Sequence, residues 1–322
     1  MSGLQIPLEI PDLWQQEAVA ALRNGRDVIV DAPTGAGKTR IFEMLVESGY
    51  IAKHGQAVYT VPTRALANDK WVEWRRRGWK VGITTGDISE EPSASVVVAT
   101  LETQRERMLG GRGPAFLVVD EYQMLADEGR GLNYEVVLAL ADNFTQLLLL
   151  SGSVQNPGDV AAWLHRLGRD VDVIQEKERP VPLDEVPFET LPAQQHHGVA
   201  SFWTKLAQGA LSADLFPLLI FTPRRAEAER IAKKIADCLP PDPPFTMDPT
   251  LSTLLGKDLQ TLLEKRVGYH HSGLSYLLRA GVIELLAKRG ALRVIVATTG
   301  LAAGINFSVR SVMISETTIH DG

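Results

Sequence analysis

Continuous hydrophobic runs of five or six residues recur along the first half of the chain, from about Asp27 to Ile174. They read DVIVDA, AVYTVP, VVVATL, FLVVDE and LLLLSG. Hydrophobicity that does not alternate indicates strands buried on both faces, which is typical of a parallel sheet covered by helices. Between the runs lie segments with helical apolar spacing, among them RIFEMLVESGYIAK and NYEVVLALADNF. The pattern predicts an α/β domain with a largely parallel sheet.

The pattern is interrupted at EKERPVPLDEVPFETLPAQQHHG, a segment rich in proline and polar residues. Because proline interrupts helices and central strands alike, we interpret this segment as a connection between domains. A second α/β series follows, with LFPLLIFTP, LRVIVATTG and VRSVMISET as strands and LPPDPPFTMDP as a surface loop. We therefore predict a first domain over residues 1–176, a linker over 177–192 and a second domain over 193–322.

Composition narrows the class of protein. The 322 residues are 45% hydrophobic and 22% charged, with a formal net charge of −6. No run approaches the ~20 apolar residues of a membrane helix, and Cys238 is the only cysteine. We expect a cytoplasmic protein without a membrane segment or an intramolecular disulfide. The negative net charge argues against a protein that coats nucleic acid through positive charge alone. It is compatible with a protein that binds nucleic acid in a narrow groove lined by backbone amides and a few arginines.

The segment DVIVDAPTGAGKTR carries the most specific local signal. A buried strand is followed by a glycine-bearing loop whose N–H groups can point at an anion, and then by a helix N-terminus with its partial positive charge. This pattern predicts a nucleotide site in which Lys38 reaches the β- and γ-phosphates and Thr39 holds Mg²⁺. The residues expected to bind the nucleotide are Thr34, Gly35, Ala36, Gly37, Lys38 and Thr39. The alternative interpretation is a glycine-rich turn that binds no ligand. The segment departs from the phosphate-loop pattern at one position, because Ala32 stands where the pattern has its first glycine.

An adjacent pair of carboxylates, Asp120 and Glu121, ends the buried strand in FLVVDEYQ. Open α/β sheets bind ligands at the carboxyl ends of their strands. Following a phosphate loop, the pair predicts the second half of an ATPase site. Asp120 would help to hold Mg²⁺, and Glu121 would position and activate the attacking water. Two solvated acids at a strand end are the alternative interpretation.

The segment KWVEWRRRGWK mixes three tryptophans with five basic residues. Aromatic rings and arginines together can form a nucleic-acid patch. On a helix, however, the tryptophans are expected to pack inward while the arginines stay solvated. We favour this structural interpretation.

The order of motifs resembles that of superfamily 2 helicases, most closely the Ski-like DExH group. The resemblance covers nearly the whole chain. It rests on LWQQEAV, APTGAGKT, VPTRALANDK, TTGD, VATLET, DEYQ, LSGSVQNPGDVAAWL, RPVPL, LLIFTPRRAEAERIA, VGYHHSGL and VIVATTGLAAGINF. It implies two tandem RecA-like P-loop domains with parallel sheets, the second incomplete. It also implies an ATP- and Mg²⁺-dependent helicase or translocase acting on single-stranded or tailed duplex RNA or DNA.

The same resemblance implies roles for individual residues. Gln15 would read adenine, and Gly304 and Asn306 would lie near the nucleotide. The residues expected to contact the nucleic-acid strand are Thr63, Arg64, Gly86, Asp87, Thr100, Glu102, Arg224 and Thr298. There are departures from the family pattern: Gln123 stands where most of the group has His, and Gly152-Ser153 replaces the usual Ala-Thr.

Two histidine pairs allow a metal interpretation. We interpret His196-His197, near the end of the proline-rich connecting segment, as solvated residues. His270-His271 has no cysteine or acidic residue beside it in the sequence. We therefore favour the structural and strand-contacting role that the resemblance implies.

The end of the chain lacks the family's sixth motif, which carries arginines that complete the ATP site. After Asn306 the only basic side chains are Arg310 and His320. We therefore expect a truncated core that binds nucleotide mainly through its first domain and hydrolyses it slowly. Further domains or a partner chain would complete the second domain. The alternatives are a nucleotide-gated binding module without turnover and an unrelated P-loop enzyme such as a small-molecule kinase.

Overall fold

The computed structural model describes residues 10–152, 154–192, 202–239, 255–298 and 309–315. The chain divides between Leu183 and Asp184 into two compact units. The finer domain bounds drawn from the sequence remain predictions. Several predicted features lie outside the described residues, namely Ser153, His196-His197, Gly304, Asn306 and almost all of LPPDPPFTMDP.

A single eight-stranded sheet organises the first unit. Its strands are β1 (Asp27–Asp31), β2 (Ala57–Val61), β3 (Val81–Thr84), β4 (Ser89–Glu90), β5 (Val96–Thr100), β6 (Phe116–Asp120), β7 (Gln146–Ser151) and β8 (Val171–Gln175). The strand order is β4-β3-β5-β2-β6-β7-β1-β8. Only the short β4 runs antiparallel to its neighbour. The predicted, largely parallel sheet is confirmed.

Helices cover both faces of this sheet. They are α1 (Leu13–Arg23), α2 (Thr39–Glu47), α3 (Tyr50–His54), α4 (Arg64–Arg76), α5 (Arg105–Leu109), α6 (Gly131–Ala139) and α7 (Pro157–Arg166). Two 3₁₀ turns follow β5 and β6, at Leu101–Gln104 and Tyr122–Ala126. The predicted helical segment RIFEMLVESGYIAK forms two helices, α2 and α3, because Gly49 adopts a left-handed conformation with φ of 73°.

A buried ion pair joins distant parts of the first unit at the amino ends of its strands. Arg169 donates to Asp27 at 2.8 Å and also to the backbone carbonyls of Thr145, Ala141 and Asp142. The other carboxylate oxygen of Asp27 accepts the backbone N–H of Leu147 at 2.8 Å. Both side chains are almost fully buried. The pair therefore ties β1 to the residues that lead into β7 and β8.

The tryptophan-rich segment forms the end of α4 and the turn after it. Trp74 is fully buried, packs edge-on against Tyr59, and donates through Nε1 to Glu43 at 3.0 Å. Trp71 donates to the carbonyl of Val81. The arginines that follow Trp74 are exposed. The structural interpretation of this segment is confirmed.

The second unit is built on a parallel four-stranded sheet. Its strands are β9 (Leu218–Thr222), β10 (Val267–His270), β11 (Val294–Thr298) and β12 (Ser311–Ile314), in the order β10-β11-β9-β12. The helical segments are a 3₁₀ turn (Phe188–Thr190), α8 (Phe202–Ser212), α9 (Arg225–Cys238), α10 (Lys257–Glu264), and a final run of α11 (Tyr276–Leu278), a π-helical turn (Arg279–Glu284) and α12 (Leu285–Lys288). Both units thus have the predicted α/β class. Across the described parts of the chain, no helix combines the length and apolar character needed to cross a membrane.

Candidate nucleotide and nucleic-acid sites

The strand order places two groups of predicted site residues side by side at the carboxyl edge of the first sheet. The phosphate loop follows β1, Gly152 follows β7, and the acidic pair ends β6, so these three features lie on adjacent strands. The predicted strand-contacting residues follow β2, β5 and β3, which are the next neighbours in the same sheet. The residues predicted to bind nucleotide and the residues predicted to contact a nucleic-acid strand therefore lie beside one another along one edge of the sheet.

The phosphate loop owes its shape to two glycines in the left-handed region. Gly35 has φ of 86° and Gly37 has φ of 83°. A side chain at Gly37 would also place its Cβ 2.9 Å from Nε2 of Gln15. Gln15 donates through that nitrogen to the carbonyls of Ala36 (3.3 Å) and Gly37 (3.1 Å). The buried Gln15 thus supports the back of the loop, whereas its neighbour Gln16 donates to Pro11 at the surface.

Lys38 lies just before the first residue of α2, as predicted. Its Nζ donates to the carbonyls of Ala32 (2.8 Å) and Pro33 (3.2 Å), which keeps the ammonium group inside the loop. Burial lowers the pKa of Lys38, and the nearby charges of Glu121 and Asp120 oppose that shift. The ammonium group of Lys38 therefore lies close enough to the acidic pair to be stabilised by its negative charge, as expected if both belong to one nucleotide site.

Asp120 and Thr39 have the chemistry of a Mg²⁺ site. Mg²⁺ prefers hard oxygen ligands and is usually held by one or two carboxylates together with substrate phosphates. The Asp120 carboxylate and the Thr39 hydroxyl supply such oxygens, and both contact the hydroxyl of Tyr59, at 2.8 and 3.4 Å. Burial, followed by the charge of Glu121, raises the pKa of Asp120 to about 6. A bound cation would offset the cost of keeping this buried carboxylate ionised, so the residues present fit the metal.

Glu121 is held by a short hydrogen-bonded relay. Nε2 of Gln123 donates to Oε2 of Glu121 at 2.5 Å, and Oγ of Ser151 donates to Oε1 of Gln123 at 2.6 Å. Glu121 itself adopts a left-handed backbone conformation with φ of 55°, which is uncommon for a residue with a side chain. Backbone strain of this kind clusters at functional sites. The glutamine that departs from the family pattern therefore links the acidic pair to the end of β7.

Gly152 lies against the phosphate loop. A Cβ at this position would be 3.0 Å from Oγ1 of Thr34 and 3.4 Å from Nζ of Lys38. The alanine that the family pattern has at this position would therefore crowd the hydroxyl of Thr34, and glycine avoids this close contact.

The predicted strand-contacting residues that follow β2 and β3 meet at the surface. Arg64 forms an ion pair with Asp87, with 3.4 Å between Nη1 and Oδ2. A Cβ at Gly86 would come within 2.9 Å of the same guanidinium group. The absence of a side chain at Gly86 therefore leaves the space that the guanidinium group of Arg64 occupies. Thr63 caps α4 by accepting the backbone N–H of Leu66. The structure therefore brings these four predicted residues (Thr63, Arg64, Gly86 and Asp87) together.

The remaining predicted strand contacts lie on other loops. Thr100 ends β5, and its carbonyl accepts the hydroxyl of Thr103, while Glu102 is exposed in the turn that follows. In the second unit, Thr298 ends β11 and pairs in register with Thr222 of β9. Arg224 is exposed immediately before α9. Both residues therefore lie at the carboxyl edge of the second sheet.

The histidines at the end of β10 are each paired with a glutamate that is distant in sequence. Nε2 of His270 lies 2.9 Å from Glu284, and Nε2 of His271 lies 3.0 Å from Glu229. The sequence did not reveal these acidic partners. Even so, no cluster of three or more metal-type side chains occurs in the described parts of the chain.

The comparison with protein families agrees with this geometry. Residues 12–160 match the family model described as DEAD/DEAH box helicase. Superkiller complex protein 2 of Mus musculus is 28% identical over 380 residues, a match that covers 97% of this chain. The chain is thus similar to the Ski-like superfamily 2 helicases. The resemblance drawn from the motifs is thus confirmed.

Other helicases extend the comparison. ATP-dependent DNA helicase Hel308 of Pyrobaculum calidifontis is 32% identical over 342 residues, which cover 94% of this chain. A crystal structure of the DUF1998 helicase MrfA bound to DNA has a TM-score of 0.67 and 14% identity, and it covers 96% of this chain and 45% of its own. This likeness confirms the fold. The chain spans only 30% of the mouse relative and 46% of Hel308.

Proposed function

We propose that the chain is the ATP-dependent motor core of a nucleic-acid helicase or translocase, which couples hydrolysis of Mg²⁺-bound ATP to movement on single-stranded RNA or DNA. One observation carries this proposal. A single sheet edge holds the phosphate loop after β1, Gly152 after β7 and the acidic pair at the end of β6, beside the loops after β2, β5 and β3 that carry the predicted strand contacts. Relatives named as helicases support it.

In this proposal, the loop around Gly35 and Gly37 receives the phosphates of ATP through its backbone N–H groups. Lys38 moves from the loop carbonyls to the β- and γ-phosphates, while Thr39 and Asp120 hold Mg²⁺. When bound, the metal neutralises charge that develops on the phosphates. The Glu121 carboxylate accepts a proton from the attacking water, which forms a bond to the γ-phosphorus as the bond to the leaving ADP oxygen breaks.

The strand-contacting loops act on the backbone of the nucleic acid. Arg64 is 61% exposed and Asp87 is 52% exposed, and an ion pair so open to water contributes only about 0–1 kcal/mol. A phosphate can therefore replace Asp87 as the partner of Arg64 at little cost. Because phosphate contacts do not read base sequence, we expect binding without sequence preference.

The experiment that tests strand binding compares two single-arginine variants of α4. Arg64 begins this helix at the carboxyl edge of the sheet, whereas the exposed Arg76 ends it near the opposite edge, because crossover helices run antiparallel to the strands. Arg64→Ala should weaken binding of a fluorescent single strand severalfold, and Arg76→Ala should leave it unchanged. Thr298→Ala should also weaken it. Equal affinities for all four proteins would contradict the proposal and favour a P-loop enzyme with a small-molecule substrate.

A further inference from the structure

A buried tyrosine on β2 joins the two predicted metal ligands. The hydroxyl of Tyr59 donates to Oδ2 of Asp120 at 2.8 Å. It also lies 3.4 Å from Oγ1 of Thr39. Since a phenol has a single proton, and that proton is given to Asp120, the Thr39 hydroxyl must donate in the second contact. The resulting chain of hydrogen bonds runs in one direction, from Thr39 through Tyr59 to Asp120.

The direction of this chain sets which lone pairs remain available. Thr39 uses its proton toward Tyr59, so the lone pairs of its oxygen remain for a cation. The Asp120 carboxylate receives one donor on each oxygen, Tyr59 on Oδ2 and the backbone N–H of Glu121 on Oδ1 at 3.1 Å. Each carboxylate oxygen keeps further acceptor capacity, because an ionised carboxylate has about four lone-pair sites. The hydrogen bonds therefore orient the oxygens of Thr39 and Asp120 and leave lone pairs on them that can bind a cation.

The ring of Tyr59 is itself immobilised by aromatic packing. It is fully buried, with Phe42 at 5.3 Å and Trp74 edge-on at 5.1 Å between ring centroids. Trp74 in turn stacks on Trp79 and donates to Glu43. The tryptophan-rich segment therefore forms a rigid backing for the phenol.

We propose that Tyr59 is a positioning residue for the metal: it holds the Asp120 carboxylate and the Thr39 hydroxyl in the orientation that binds Mg²⁺ with the nucleotide. This inference rests on the proposed ATP site. It assigns to the aromatic cluster a role in metal binding that is separate from strand binding. Partners of this kind, which orient a metal ligand without touching the metal, typically account for 10- to 100-fold in metal affinity.

The test removes the hydroxyl and keeps the ring. Tyr59→Phe is compared with Tyr122→Phe, which deletes a hydroxyl that is equally buried in the first unit but has no hydrogen-bond partner among the described residues. Binding of a fluorescent ATP analogue is titrated with Mg²⁺ and repeated in EDTA. Tyr59→Phe should raise the half-saturating Mg²⁺ concentration about 10- to 100-fold and leave affinity in EDTA within about 2-fold. Tyr122→Phe should match the wild type in both.

An unchanged Mg²⁺ dependence of Tyr59→Phe would overturn the inference, as would an equal loss of affinity with and without metal. Replacement of Tyr59 by 4-aminophenylalanine, which keeps an N–H donor, should restore the wild-type Mg²⁺ dependence, and failure to do so in a folded protein would also overturn it. If the Tyr59→Phe variant does not fold, the comparison of the 4-aminophenylalanine variant with the wild type still tests the role of Tyr59. A wild-type protein that binds no nucleotide at any Mg²⁺ concentration would instead refute the proposed ATP site.

Discussion

Replacing Gln123 by alanine cuts the relay between the end of β7 and Glu121. The side chain makes two short hydrogen bonds, 2.5 Å to Glu121 and 2.6 Å from Ser151. A hydrogen bond to a charged group contributes about 1.5–3 kcal/mol. If the bond to Glu121 acts fully in the transition state, its loss lowers kcat about 10- to 150-fold, since 1.36 kcal/mol corresponds to a factor of ten. We expect KM for ATP to stay within about 2-fold, because these two hydrogen bonds of Gln123 go to the acidic pair and to β7 rather than to the phosphate loop.

The assay is steady-state ATP hydrolysis over a range of ATP concentrations, in the presence of saturating single strand. Gln16→Ala is the matched control, because that glutamine bonds only to Pro11 at the surface in the described structure. Gln123→His tests the residue that most of the family carries, and it should retain more activity than the alanine variant because an imidazole can donate and accept at once. A rise in KM with unchanged kcat in Gln123→Ala would refute the reasoning.

Two further predictions concern stability. Asp27→Asn leaves the buried guanidinium of Arg169 without its counter-charge and should lower the free energy of unfolding by about 3–5 kcal/mol in urea denaturation; a loss below about 1 kcal/mol would contradict this. In the second unit, the hydrogen bond with His270, aided by the charges of Lys288 and Arg279, lowers the pKa of Glu284 from its ordinary value of 4.5. The ionised carboxylate therefore stabilises the fold above about pH 4.5, and this contribution is lost as pH falls through the lowered pKa. The Tm gap between wild type and Glu284→Gln should narrow from pH 7 to pH 3, and a constant gap would argue against the pair.

The strands and the phosphate loop could be predicted because their signals are local. Buried strands read as unbroken hydrophobic runs. Seven strands fall within the predicted runs, namely β1, β2, β5, β6, β9, β11 and β12, and β7 begins one residue before its run, at Gln146. The sequence did not reveal β3, whose four residues include a glycine, the two-residue β4 or β8, and β10 was noted only as part of a motif. Gly82 in β3 faces the backbone carbonyl of Glu91, with which a Cβ at this position would clash. Glycine is therefore needed at position 82 because the backbone of Glu91 comes close to it. A hydrophobic pattern in the sequence does not indicate such a close approach.

The links within the site could not be predicted, because they join residues far apart in the chain. Tyr59 meets Asp120 across 61 positions, and Ser151 meets Gln123 across 28. Both contacts depend on β2, β6 and β7 lying side by side in the sheet, an order that strand patterns do not encode. The individual functional roles of the site residues remain predictions. What the fold adds is the set of neighbours through which they would act.

The most direct test of the central claim is ATP hydrolysis by residues 1–322, measured with and without single-stranded RNA and DNA, against Lys38→Ala. Lys38 lies inside the phosphate loop, so its loss should abolish productive phosphate binding. The account predicts ATP hydrolysis by the wild type that exceeds the rate of the Lys38→Ala variant and rises when a strand is added. Equal rates for the two proteins at saturating ATP and strand would contradict the claim that this chain is a motor core.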